Sequence, residues 1–179
     1  SLTVTITPEV VPYSGKDETV SVTVDGIGQA HRGETAEVFF NNSSVSLAKG
    51  TISESGSVTL SWQIGVSMGS YPFEVRVGDE VLTKGDITVG PAAPVIMNAD
   101  PLNIAAPTTT TISFTSVKDA DGYRLQMTGG GKTITIATPS SSAIGTIVVA
   151  SSNFANNTTY SVAVSAYATV NGVRVYGPA

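Results

Sequence analysis

Residues Asn156 to Gly177 read NNTTYSVAVSAYATVNGVRVYG. From Tyr160 the apolar side chains take every second position: Tyr160, Val162, Val164 and Ala166. That is the period of a strand with one buried face. A turn cluster, VNG, closes the run, and a second alternation, Val173-Arg174-Val175-Tyr176, follows it.

The same period recurs along most of the chain. LTVTI, TVSVTV, SVTLSWQI and YPFEVRV carry it in the first half, and TISFTSV, YRLQM, TITIA and TIVVA in the second. Between them lie turn clusters such as YSGKDE, SESGS, VGDE and TGGGK. Apolar i, i+3, i+4 spacing is nowhere long enough for a helix. Short strands about every ten residues specify an all-β chain of antiparallel sandwiches.

One segment breaks the rhythm. VGPAAPVIMNADP, Val89 to Pro101, holds three prolines, which donate no backbone hydrogen bond and are excluded from central strands. The boundary is expected near Gly90 to Pro94. The expected organisation is one sandwich over 1–90, a semi-rigid Pro/Ala linker over 91–94 and a second sandwich over 95–179.

Composition narrows the function classes. Charged residues make up 13% of the 179 residues, and the formal net charge is -5. Lys and Arg form no cluster that could neutralise a phosphate backbone, so nucleic acid is not an expected partner. No apolar run approaches the ~18 residues of a spanning helix. The chain opens on the strand-like SLTVTITP, so a signal peptide is expected to be removed or to lie outside this segment. Cysteine is absent, which excludes disulfides and thiolate chemistry.

Residues 94–179 resemble a fibronectin type III domain. The carriers are Pro94 at the opening, Phe114 on strand B, Tyr123 on strand C, and Thr158, Tyr160, Val162, Val164 and Ala166 on strand F. Phe114 and Phe154 stand where the family usually has Trp and Leu, and both swaps keep a large apolar side chain. The resemblance implies a tyrosine corner, with the Tyr160 hydroxyl bonded to backbone a few residues upstream. The first half is more loosely similar to bacterial cell-surface immunoglobulin-like repeats, through VTVDGIGQAHRGETAEVFF, SESGSVTLSW and GSYPFEVRV. The resemblances together imply tandem sandwiches, immunoglobulin-like and then fibronectin type III-like.

Catalytic constellations are not assembled by the sequence. The single histidine, His31, is expected to be an exposed loop residue, and alone it cannot build a multi-histidine metal site. The carboxylate pairs Asp17/Glu18, Asp79/Glu80 and Asp119/Asp121 fall in turns, where such groups cap amides or face water. Asp119-x-Asp121-Gly122 lacks the further acidic ligands of a calcium loop. TGGGKT, Thr128 to Thr133, has Gln126 where a phosphate loop needs glycine, and a strand follows it rather than a helix. Trp62 shares the parity of Val58, Leu60 and Ile64 and is expected in the first core. No cofactor and no metal is expected.

Parity does nominate one surface. Strands C, F and G share a sheet in this fold. Arg124, Gln126, Tyr167, Arg174 and Tyr176 fall on its outward positions, with Val173 and Val175 inward. Tyr and Arg are enriched at interface hot spots, so this is the candidate partner-binding face. Asn41, Asn42, Asn156 and Asn157 each begin an N-x-[ST] sequon and are candidate glycosylation sites.

The expectation is a non-catalytic spacer, stalk or adhesion module of a larger extracellular or cell-surface protein of a bacterium or archaeon, a monomeric segment of a multidomain chain. Two alternatives stay open. One is a glycan- or protein-binding module that uses the C-F-G face. The other is a virion or filament subunit assembling through its sandwich edges.

Overall fold

Alternating Thr, Val and Ile residues favour a pleated, half-buried backbone, and strands form wherever that alternation runs. The computed structural model describes residues 1–138 and 145–179. It forms two units, Ser1–Val89 and Gly90–Ala179.

The first unit contains β1 (Thr3–Thr7), β2 (Val11–Pro12), β3 (Glu18–Asp25), β4 (Thr35–Phe40), β5 (Ala48–Thr51), β6 (Val58–Ile64), β7 (Gly69–Val77) and β8, which runs from Glu80 to Gly90. One sheet has the order β1-β3-β6, and the other β2-β8-β7-β4-β5. The chain leaves the first sheet for the second between β1 and β2, where the Thr7–Pro8 bond is cis. This split of the first strand was not expected from the sequence. Val20, Val22 and Val24 of β3 and Val58, Leu60, Trp62 and Ile64 of β6 face Val38, Phe40, Phe73, Val75 and Ile87 across the sandwich. Each fully buried side chain of this size contributes about 1.5–3 kcal/mol. Trp62 lies in this core with its ring 5.9 Å from that of Phe40.

The second unit contains β9 (Leu102–Ile104), β10 (Thr110–Ser113), β11 (Gly122–Gly129), β12 (Lys132–Ala137), β13 (Thr146–Val149), β14 (Thr158–Val170) and β15 (Val173–Tyr176). β10 pairs with β13, and Ile96 bridges to Phe114 at the end of β10. The facing sheet has the order β12-β11-β14-β15. This is the A-B-E and C′-C-F-G arrangement of a fibronectin type III-like sandwich, and the first unit is likewise an immunoglobulin-like sandwich. Tyr123, Leu125, Met127, Tyr160, Val162 and Val164 fill the core with Ile112, Phe114 and Phe154.

The tyrosine corner is formed. Tyr160 is buried, its hydroxyl accepts the Ala155 N–H at 3.0 Å, and Phe154 meets its ring edge-on at 5.4 Å. The lane beside β14 is shared by two segments. β15 takes its far half, β9 pairs with Thr158–Tyr160, and an Asp100 carboxylate oxygen accepts the Val162 N–H at 3.1 Å.

The stretch 91–94, expected as a linker, lies in the second unit and is packed. Pro91 and Pro94 are buried, and the Pro91 carbonyl sits where a side chain on Gly177 would have to go.

Antiparallel pairing fixes strand directions. In the first unit β1, β6, β4 and β8 run one way, and β3, β5 and β7 the other, with the short link 65–68 joining β6 to β7. In the second unit the Ile96 segment and β13 run against β10 in one sheet, and β11 and β15 run against β12 and β14 in the other.

Candidate interaction face

The outward positions of the C-F-G sheet come together as parity requires, but not as an open surface. Register puts Gly122 of β11 opposite Tyr167 of β14, and Tyr167 opposite Tyr176 of β15. With no side chain on Gly122, the Tyr167 phenol lies flat across β11, where a Cβ would overlap it. Its hydroxyl reaches beyond and donates to the Thr138 carbonyl at 2.7 Å. The Tyr176 ring packs on the other side, 5.4 Å centroid to centroid and inclined by 55°. Arg124 places its guanidinium 3.9 Å from the centre of the Tyr176 ring, and Arg174 places its own 4.3 Å from that of Tyr167.

The result is a pile of four side chains, Arg124, Tyr176, Tyr167 and Arg174, in which each cation rests on the electron-rich face of a ring. Tyr167 is 0% exposed and therefore cannot touch a partner, contrary to the sequence expectation. Parity had placed it on the correct side of the sheet. Tyr176 and Arg174 cover it, a cross-strand effect that alternation within one strand does not encode. Arg124, Gln126 and Tyr176 are half-buried, and Arg174 is exposed. Gln126 stands apart from the pile, two residues along β11 and opposite Ala163. Val173, expected to face inward, is 65% exposed, because it sits at the tip of the β14–β15 hairpin beside Asn171 and Gly172. Both turn residues have positive φ (51° and 79°), as the tight Asn-Gly hairpin turn requires.

The remaining polar motifs are absorbed by the backbone. Asp121 accepts the Thr169 N–H at 2.7 Å and donates its own N–H to the Tyr167 carbonyl, so it caps the end of β14. Gly130 and Gly131 form the two-residue turn between β11 and β12, both with positive φ. That is hairpin geometry, and no helix follows to aim amides at a phosphate. His31 is not a free loop residue. It ends a single 3-10 turn, Gln29–His31, and lies half-buried with Nε2 2.5 Å from Glu80 and Nδ1 3.4 Å from Glu34. No group of three or more His, Cys, Asp or Glu among the described residues could hold a metal ion. No helix among the described residues is long and apolar enough to cross a membrane.

The four sequon asparagines are exposed. Three of them, Asn41, Asn42 and Asn157, have φ between 49° and 60°. Asparagine tolerates this left-handed backbone better than other residues with side chains. Turn geometry thus accounts for asparagine at these three positions.

No protein-family model matches the chain, and no curated protein matches it. Solved structures similar to it include a fibronectin type III segment and bacterial adhesins. A two-domain fibronectin type III segment from chicken tenascin has 13% identity over 99% of this chain and 95% of that one, with a TM-score of 0.36. The C-terminal 282-residue fragment of intimin, solved with the intimin-binding domain of the translocated intimin receptor, has 11% identity over 90% of this chain (TM-score 0.42). The adhesin InvE of Yersinia pseudotuberculosis has 15% identity over 98% of this chain (TM-score 0.39). The chain spans 63% of the intimin fragment and 58% of the InvE chain.

Proposed function

We propose that the chain is a non-catalytic spacer or stalk and adhesion segment of a larger extracellular or cell-surface protein. The observation that carries this reading is that the chain forms two units, each closed around a hydrophobic core of its own. Extending the chain must then break the antiparallel ladders of each core separately.

Pulling single molecules between handle domains tests this. Two discrete unfolding steps are expected, each releasing roughly 300 Å of contour for about 90 residues. Extension of either unit without a force peak would remove the spacer reading.

A second reading, protein or glycan binding on the C-F-G face, is favoured by the exposed Arg174 and the half-exposed Tyr176 above the buried Tyr167. Arrayed ligands should then lose binding on Arg174→Ala and Tyr176→Ala with the fold retained. Binding unchanged in both variants would exclude it.

A further inference from the structure

The first unit carries a feature that a spacer does not require. On the outer face of its larger sheet, across β4, β7 and β8, lies an open cleft of about 470 Å³, within the size range of small-molecule sites. Phe39 forms its floor, and Asn42, Glu74, Arg76, Lys84 and Asp86 stand around it.

Local sequence explains the placement. Val38 and Phe40 are buried in the core, so Phe39 between them points outward. Register sets Phe39, Glu74 and Lys84 in one row across three strands, with Asp86 opposite Pro72 in the next. Pairing slips between Val75↔Thr83 and Arg76↔Val81, which leaves Leu82 as an extra residue on β8. A bulge of this kind bends and twists its strand, and here the cleft lies alongside it. At one end the Asn41 N–H donates to the Pro72 carbonyl at 2.7 Å and fixes the turn that presents Asn42.

The chemistry of the walls selects the ligand. The Arg76 guanidinium lies over the Phe39 ring, 4.5 Å from its centre, and stacks on one of its faces. Two of its nitrogens are already held by one Glu74 oxygen, at 2.6 and 2.8 Å. Lys84 and Asp86 have no ion-pair partner among the described residues. Two cations and two anions stand around the cleft, so it carries no net charge. What remains is a flat, partly apolar floor ringed by hydrogen-bond donors (Lys84, Arg76, Asn42) and acceptors (Asp86, Glu74, Asn42). A pyranose ring has the matching form, an apolar C–H face and a rim of hydroxyls that both donate and accept.

We propose that this cleft binds a neutral saccharide, a short stretch of an uncharged glycan chain laid across Phe39 and Arg76. The proposal deepens the adhesion half of the functional reading and is independent of the spacer half, which the pulling experiment decides.

The test is an NMR titration of the full, isotope-labelled chain. The probes are neutral gluco-, manno- and galacto-oligosaccharides at millimolar concentration, with sialylated and sulfated oligosaccharides as charged controls. Saturable shifts at the amides of Phe39, Glu74 and Lys84 with at least one neutral probe are expected. Lys84→Ala and Asp86→Ala, both at exposed side chains, should each weaken that binding about tenfold with the rest of the spectrum unchanged. Phe39→Ala should abolish it, and Phe39→Tyr should retain it. The proposal is overturned if no neutral probe shifts these amides, if only the charged probes bind, or if Lys84→Ala and Asp86→Ala leave affinity unchanged. Shifts confined to Arg174 and Tyr176 would overturn it too, and would point to the second unit's face.

Discussion

Each unit presents the outer face of its larger sheet, β4, β7 and β8 in the first and β11, β14 and β15 in the second, and the two faces have opposite characters. In the second unit, Tyr167 and Tyr176 are directly opposed on neighbouring strands, and Gly122 leaves room for the Tyr167 ring to lie down. The face is closed by its own side chains. In the first, the row Phe39–Glu74–Lys84 opposes one ring with two charged chains, and the next row pairs Pro72 with Asp86. Arg76 lies over the Phe39 ring, and a cleft remains beside it. Opposite glycines and paired rings close a sheet face, and isolated rings among charges leave it open.

The comparison is broken most directly at Tyr167. Tyr167→Ala removes a fully buried ring, and such truncations cost about 3–5 kcal/mol. At about 4–8 °C per kcal/mol for a unit of this size, the melting transition of the second unit should fall by more than about 10 °C. Phe39→Ala, at the half-buried floor of the open face, should cost about 1–2 kcal/mol. Calorimetry on both variants measures the gap. Equal costs would mean that the two faces are energetically alike.

Gly122 sharpens the account of how the second face closes. Gly122→Ala puts a methyl group into the space of the Tyr167 phenol, an overpacking expected to cost about 1–3 kcal/mol. Combined with Tyr167→Ala the penalty should vanish, because the clashing ring is gone. A double-mutant cycle measures this coupling. Additive costs would show that Gly122 is needed for its backbone and not for the ring.

What could be read from the sequence follows from this geometry. Tyr160 could be read, because its role is carried by its own strand, the alternation from Thr158 to Ala166 and a backbone amide five residues upstream. The burial of Tyr167 could not, since its cover comes from β15 and its bed from β11. The only local hint was a glycine at position 122 followed by a strand. The cleft escaped for the same reason. Phe39 sits in EVFF, where alternation marks it as outward, but its companions Arg76 and Lys84 lie more than thirty residues away in sequence and are set beside it by register. The packing of Pro91 and Pro94 within the expected linker was not legible either, because prolines can pack without donating amides and proline content alone does not show it.

Hydroxyl deletion compares the two tyrosines within β14. Tyr160→Phe leaves the Ala155 N–H without its acceptor, and Tyr167→Phe leaves the Thr138 carbonyl without its donor. Each should cost about 1–2 kcal/mol, with the rings still packed. Denaturant midpoints at unchanged slope would read this. A neutral Tyr167→Phe would show that the ring, not its hydroxyl, holds the closed face together.

The smallest effects are expected at the cationic ends of the two faces, and they separate packing from charge. Arg174 lies against the buried Tyr167 ring but is itself exposed, so Arg174→Ala should cost about 0.5–1 kcal/mol, the range of an exposed cation–aromatic contact. Lys84 touches no ring and has no ion-pair partner among the described residues, so Lys84→Ala should stay within about 0.5 kcal/mol of the parent protein. Stability curves on the two variants, at low and high salt, make the distinction. The Arg174 penalty should persist in salt, because the ring it covers is shielded from ions. A salt-sensitive penalty at Lys84 would instead reveal that the charges around the cleft already stabilise one another without a ligand, and would close the difference between the two faces from the other side.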